Sequence, residues 1–203
     1  MPYQYDIFIS YKRGQETNRW IIEHFEPLLA HVVELELGRS PIIYRDNRLH
    51  DGGTWPIDLG IALGSSRVLV PLWTKTYFHS EWCVRELSIM LDREREMGCR
   101  TPTKPDGMII PAVLHDCEII KPELAHVEYR QIRDCYNVRM RHDSARAERL
   151  ADELGAAAPG IARSIESVPE WQPHWPNTTA EIFLQAIFSG EQPQQNTVPR
   201  FSS

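Results

Sequence analysis

Apolar positions in this chain recur at two periods, and the switches between them lay out its elements. Residues 5–10 (YDIFIS) are β-branched and aromatic and predict a strand that runs into the polar cluster Ser10, Tyr11, Lys12, Arg13 and Gly14. Over residues 20–37, Ile21, Phe25, Leu28, Leu29, Val32 and Leu35 fall at helical spacing, with a kink expected at Pro27. Residues 42–44 make a second short strand, followed by Arg45 and Asp46. Then comes a glycine-bearing loop at 47–56 (NRLHDGGTWP), with Trp55 expected in the open. Residues 57–63 read as a short helix that Gly64 ends. The apolar run at 68–73 (VLVPLW) predicts a buried strand, and residues 80–91 (SEWCVRELSIML) a helix that continues through a charged tail, DREREM.

Residues 108–114 (MIIPAVL) predict another buried strand, in which Pro111 argues for an edge position or a bulge. Residues 127–132 alternate like a fifth strand near the sheet margin. Gly155 and Pro159-Gly160 interrupt a helical pattern at 144–165 and predict two short helices there. An irregular lid at 169–176 carries Trp171 and Trp175, and residues 179–188 make a last amphipathic helix. Strands alternating with helices imply an α/β chain: a flavodoxin-like three-layer sandwich whose five-stranded, mainly parallel sheet has the order 2-1-3-4-5. One domain is expected over 1–190, with its core at 3–135 and a C-terminal helical portion at 140–190, before a disordered tail at 191–203.

Within the helix at 80–91, Trp82 and Glu86 are four apart and share one flank. At about 100° per residue, Cys83, Val84, Leu87, Met90 and Leu91 occupy one apolar sector, Glu86 its rim, and Trp82 a place just beyond. Ser80 is the expected N-cap. In a parallel α/β sheet such a helix starts at the carboxyl edge of the strand before it, where ligands bind. Three loops converge on that edge: Ser10 to Arg13, Arg45 to Asp46, and the approach to Trp82 and Glu86. They offer cations for phosphates, aromatic faces for rings and one carboxylate for chemistry.

Composition narrows the classes. A chain of 203 residues with 42% hydrophobic and 25% charged positions supports one substantial core. The net charge of -6 gives no support to a nucleic-acid surface, and the basic run at 139–149 reads as a solvated helix face. With no secretory-type leader and no apolar run near 20 residues, neither export nor membrane insertion is expected. Cys83, Cys99, Cys117 and Cys135 lack paired spacing, which fits a reducing cytoplasm. No metal site is expected, since His50, His115 and Cys117 have no partner at ligand spacing. Walker, dinucleotide-fold and nucleophile-elbow glycine motifs are absent. Trp73 stands where a phosphoreceiver needs its Asp.

In YDIFISYKRG, in IIYRDNRLHDGG and in SSRVLVPLWTKTYFHSEWCVREL, in order and at matching spacing, the chain resembles the Toll/interleukin-1 receptor (TIR) domains. The likeness covers about residues 3–135, and its third motif is similar to the plant and bacterial members; the receptor-type Phe-Trp box is not evident. The resemblance implies that Glu86 is the catalytic carboxylate for cleaving nicotinamide from NAD+, with Trp82 lining the site. It nominates Ser10, Tyr11, Lys12, Arg13, Arg45 and Asp46 as dinucleotide contacts, with less weight. It also makes the second motif a BB loop, with His50, Gly52, Gly53 and Trp55 as assembly residues. NAD+ enters as substrate, and no cofactor is implied. Self-association, a separate sensor or effector protein, and a bacterial immune role such as antiphage defence are further implications.

One carboxylate suffices for such a reaction. Nicotinamide leaves as a neutral molecule, so the second carboxyl that protonates an alkoxide in O-glycoside hydrolysis is not required. The residues alone leave plainer readings open. Glu86 can be a solvated surface group, Trp82 a core residue or staple, and Lys12 and Arg13 solvated charges; Arg45 and Asp46 can pair with one another. A non-enzymatic adaptor and a nucleoside deoxyribosyltransferase are the competing functions.

Overall fold

Alternation along β1 (Tyr5–Tyr11) sends its side chains to two separate core layers. The computed structural model describes residues 3–46, 55–115, 124 and 126–188. Ile7, Ile9 and Tyr11 join Val68, Val70 and Leu72 of β3 (Ser66–Trp73) in one layer; Phe8 joins Leu69 and Trp73 in the other. The sheet is parallel throughout, in the order β2 (Ile43–Arg45), β1, β3, β4 (Ala112–Val113), β5 (Arg130–Gln131). This is the expected flavodoxin-like order, with β5 at the margin. The loop residues His50, Gly52 and Gly53, Cys117, and the tail at 191–203 lie outside the described residues.

Over the first face run α1 (Gln15–Trp20), a π-helical turn (Ile21–Phe25) and α2 (Glu26–Leu37), packed against α6 (Ala145–Ser167). The helical track thus begins at Gln15, earlier than its apolar period shows. Pro27 has no N–H to return to the turn before it, and the backbone absorbs this as the π-turn immediately upstream. The other face is covered by α3 (Trp55–Gly64), α5 (Glu81–Glu96) and α7 (Trp175–Phe188), with a short α4 (Lys75–Phe78) that the sequence pattern did not indicate. Trp55 starts α3 instead of standing in the loop.

Several expectations give way to packing. Pro111 marks neither an edge nor a bulge: β4 pairs on both sides, and the register Leu69 to Ile109 carries on unchanged as Leu72 to Ala112. The proline only interrupts the ladder, and its carbonyl still accepts from the Arg130 N–H at 2.9 Å. α6 is one helix instead of two. Its buried row Leu150, Leu154, Ala157, Ala158, Ile161, Ala162 and Ile165 outweighs Pro159, while Gly155 and Gly160 lie where an added Cβ meets open or nearly open space. The expected lid ends in helix, because α7 begins at Trp175, whose ring is buried under the Arg93 guanidinium 4.5 Å away. The charged tail of α5 likewise hides Arg93 and Glu94, both buried. Ser80 has the extended backbone of an N-cap, yet its side chain accepts no capping hydrogen bond.

Gly64 does not act as a C-cap. Gly60 and Gly64 let α3 and α7 meet backbone to backbone: a Cβ on Gly60 would lie 2.5 Å from the Ala180 Cα, and one on Gly64 2.5 Å from the Pro176 Cα. Gly60→Ala is therefore expected to lower unfolding free energy by about 2 kcal/mol through overpacking, despite the roughly 1 kcal/mol that Ala gains over Gly in a helix. Gly155→Ala, with nothing near its Cβ, should instead stabilise by up to about 1 kcal/mol. Denaturant unfolding of the two variants checks the contrast; equal shifts would contradict the close α3–α7 contact.

Candidate active site

Ser10 and Tyr11 are neighbours on β1 and face opposite layers, so the polar cluster at the strand end divides in two. Ser10 points to α5. Its Oγ donates to the Glu86 carboxylate, and it lies 3.0 Å from the Tyr77 hydroxyl. Tyr77 O–H in turn reaches the Cys83 carbonyl oxygen at 3.1 Å. α4 holds this tyrosine in place, because the Thr74 side chain caps the helix by accepting from the Tyr77 N–H at 3.0 Å. Glu86 is 7% exposed, and Ser10, Tyr77 and Cys83 are buried around it. The solvated reading of this carboxylate does not hold.

Burial pushes the Glu86 carboxyl up to about 7, with the Ser10 hydrogen bond and the charge of Arg13 acting the other way. The hydroxyl chain accommodates either protonation state. Each hydroxyl has one proton to give. When Glu86 is protonated it can donate to Ser10, Ser10 to Tyr77 and Tyr77 to the Cys83 carbonyl, so every proton is used. When Glu86 is ionised, Ser10 turns to donate to it, and Tyr77 keeps the Cys83 carbonyl. Burial also raises the Tyr77 hydroxyl and the Cys83 thiol well above their usual ranges, each helped by the Glu86 charge. Both stay protonated near neutral pH, leaving Glu86 as the titrating member of the cluster.

The remaining nominated residues form a second group at the same edge. Tyr11 O–H donates to Asn18 Oδ1 at 2.6 Å and lies 3.3 Å from the Asp46 carbonyl. Arg45 pairs with Glu26, and Arg13 with Asp46. Arg45 and Asp46 thus each have a partner on α2 or in the loop after β1. Lys12 is exposed, and the Arg13 side chain is 43% exposed, so both cations stand at the rim. Trp82 is half-buried and stacks on Phe183 of α7, ring centroids 5.3 Å apart at 4°. Sequence reasoning missed Tyr77, Asn18 and Glu26. For Tyr77 the available signal was Thr74 three residues ahead of it, a capping pattern inside the third motif.

Among the described residues, no group of three or more His, Cys, Asp or Glu could hold a metal ion, and no helix is long and apolar enough to cross a membrane.

The family model for the TIR domain matches residues 7–150. A probable 2′ cyclic ADP-D-ribose synthase of Brachypodium distachyon, BdTIR, is 24% identical over 168 residues, which is 81% of this chain and 71% of that protein. The disease resistance protein RPV1 of Vitis rotundifolia is 32% identical over 94 residues, 46% of this chain; the matched segment spans only 6% of that protein. Among solved structures, the TIR domain of the Toll-related receptor TRR-2 from Hydra magnipapillata overlays 62% of this chain and 82% of its own, at 21% identity and a TM-score of 0.43. By the match that runs from β1 into α6, this chain belongs to the TIR domain family.

Proposed function

We propose that this TIR domain cleaves the nicotinamide–ribose bond of NAD+, releasing nicotinamide together with ADP-ribose or a cyclic isomer, with Glu86 as its catalytic group. The observation that carries the reading is a single carboxylate, buried at the carboxyl edge of β1 and β3 and oriented by Ser10. Positive charge develops at the ribosyl carbon as neutral nicotinamide departs. An ionised carboxylate fixed beside that carbon stabilises it without reorganising. Attack by water, or by a hydroxyl or adenine nitrogen of the same molecule, then releases one proton, which a carboxylate titrating near neutral pH can accept. Trp82 would wall the ring, and Lys12 and Arg13 would meet the phosphates. The name of BdTIR, a probable cyclic ADP-D-ribose synthase, supports the reaction class. A place in immune signalling is supported by association with the disease resistance protein RPV1; defence against phage in a bacterial host is our extension of that reading, and no relative named above carries it.

Incubating the full chain with NAD+ and identifying products by mass tests the reading. Nicotinamide release is expected to rise with pH and level off above about 7, because the protonated carboxyl present at lower pH carries no charge to offset the cation. Concentrated protein that releases no nicotinamide yet self-associates through its BB loop would instead be an adaptor. A preference for deoxynucleosides over NAD+ would point to a deoxyribosyltransferase.

A further inference from the structure

The basic run read as a solvated face supplies one wall of a second cleft. Leu114 and His115 follow β4, Arg133, Asp134 and Tyr136 follow β5, and Ala145, Arg146 and Arg149 open α6; together they enclose about 630 Å³. Leu114 and Tyr136 belong to the core layer beneath α2 and α6, whereas Tyr77 and Cys83, beside Glu86, belong to the opposite layer. The sheet therefore separates this cleft from the candidate active site.

Its charge runs against that of the chain. The protein carries a net -6, yet the described lining residues hold one carboxylate, Asp134, beside Arg146, Arg149 and Arg133, the last already engaged with another partner. Arg146 Nη1 donates to the Tyr136 carbonyl at 3.3 Å, and Arg149 Nη1 reaches Asp134 Oδ2 at 3.5 Å. A guanidinium has five N–H donors in a planar fork, so one such contact leaves most of each fork for an anion. The start of α6, a helix of 23 residues, adds its partial positive charge at Ala145. Below the cations lie buried Leu114 and half-buried Tyr136, whose ring packs at 5.0 Å against Trp20 and whose hydroxyl is 3.1 Å from Thr17 Oγ1.

We propose that this cleft binds a phosphate-bearing small molecule of about nucleotide size, held through Arg146 and Arg149. The volume lies within the roughly 300–1,000 Å³ of small-molecule sites, and the paired forks suit a diphosphate. The proposal does not depend on NAD+ cleavage, since the cleft shares no residue with the Ser10, Tyr77 and Glu86 cluster.

Calorimetric titration of the full chain with ADP and with inorganic pyrophosphate tests it, with amide NMR to locate the ligand. Both probes are expected to bind, ADP the tighter, shifting amides at 133–136 and 145–149; shifts confined to 10–13 and 82–86 would place the ligand in the candidate active site and overturn the proposal. Arg146→Gln/Arg149→Gln, at exposed helical positions that Gln tolerates, should lose affinity by about tenfold or more. Binding should also weaken with added salt. No binding of either probe at millimolar concentration overturns the proposal. So does unchanged affinity in the double variant, or binding of a single-stranded oligonucleotide by these arginines where ADP does not bind.

Discussion

Glu86→Gln is expected to lower nicotinamide release by about 10²-fold or more while leaving the fold intact, the loss typical of removing one preorganised electrostatic group. Gln fills the same volume and can still meet the Ser10 hydroxyl, so only the charge and the proton acceptor disappear. The stability of the variant gives an independent check. Burial raises the Glu86 carboxyl from an ordinary 4.5 to about 7, so the folded state holds its proton more tightly than the unfolded chain. That contribution is fully present below about pH 4.5 and is lost as pH rises through about 7. At about 1.4 kcal/mol per pKa unit, the ionised residue weakens the fold at pH 8 by roughly 3 kcal/mol. Glu86→Gln should therefore match wild type in thermal unfolding near pH 4 and exceed it at pH 8. An inactive variant with no such pH-dependent gain would mean that the carboxylate is not buried in solution. A variant with the full gain and undiminished nicotinamide release would remove Glu86 from the chemistry.

The same burial explains what the sequence could and could not reveal. The strand order followed from alternating apolar runs, and the helical wheel placed Glu86 at the rim of an apolar sector, so both were legible. The wheel cannot say how deep a rim position sits. Depth came from β1 delivering Ser10 and α4 delivering Tyr77 onto the same spot, a contact spanning 76 residues for Ser10 and Glu86 and 67 for Ser10 and Tyr77. Period also failed wherever tertiary contact outweighed local preference. Pro159 reads as a helix break, yet a row of buried side chains against α2 carries α6 past it. The DREREM segment reads only as a charged helix tail, yet two of its charges are buried because partners arrive from elsewhere: Trp175 and the Ser66 carbonyl for Arg93, and Arg100 for Glu94. Charged residues found inside are nearly always paired, and single-sequence patterning carries no information about such distant partners.

Glu94→Ala is expected to be strongly destabilising, costing about 3–5 kcal/mol. This carboxylate joins the end of α5 to the strand segment that leads into β4. It accepts from the Met108 N–H, from the Ile109 N–H at 2.9 Å, and from Arg100 Nε at 2.9 Å and Nη2 at 3.2 Å. Arg100 also donates to the Ile109 carbonyl at 2.6 Å. Removing Glu94 would strand two backbone donors and a guanidinium where water has little access, which is the expensive side of a buried ion pair. Arg100→Ala leaves the carboxylate its two backbone donors and should cost less. The double variant should be milder than the sum of the two, because the unpaired charge that makes Glu94→Ala costly is then gone. At about 2–4 °C per kcal/mol for a chain of this size, the melting temperature should fall by roughly 10 °C in Glu94→Ala, and a fall of only 1 or 2 °C would contradict the pairing. The consequence reaches the site through the sheet. Leu69 pairs with Ile109 on one side and with Phe8 of β1 on the other, so an unanchored β4 loosens the two strands whose carboxyl ends position Ser10 and present α4 and α5. Nicotinamide release in Glu94→Ala should accordingly decline at temperatures below its own unfolding midpoint, a loss that Gly155→Ala, in α6 on the opposite face of the sheet from Glu86, would not share.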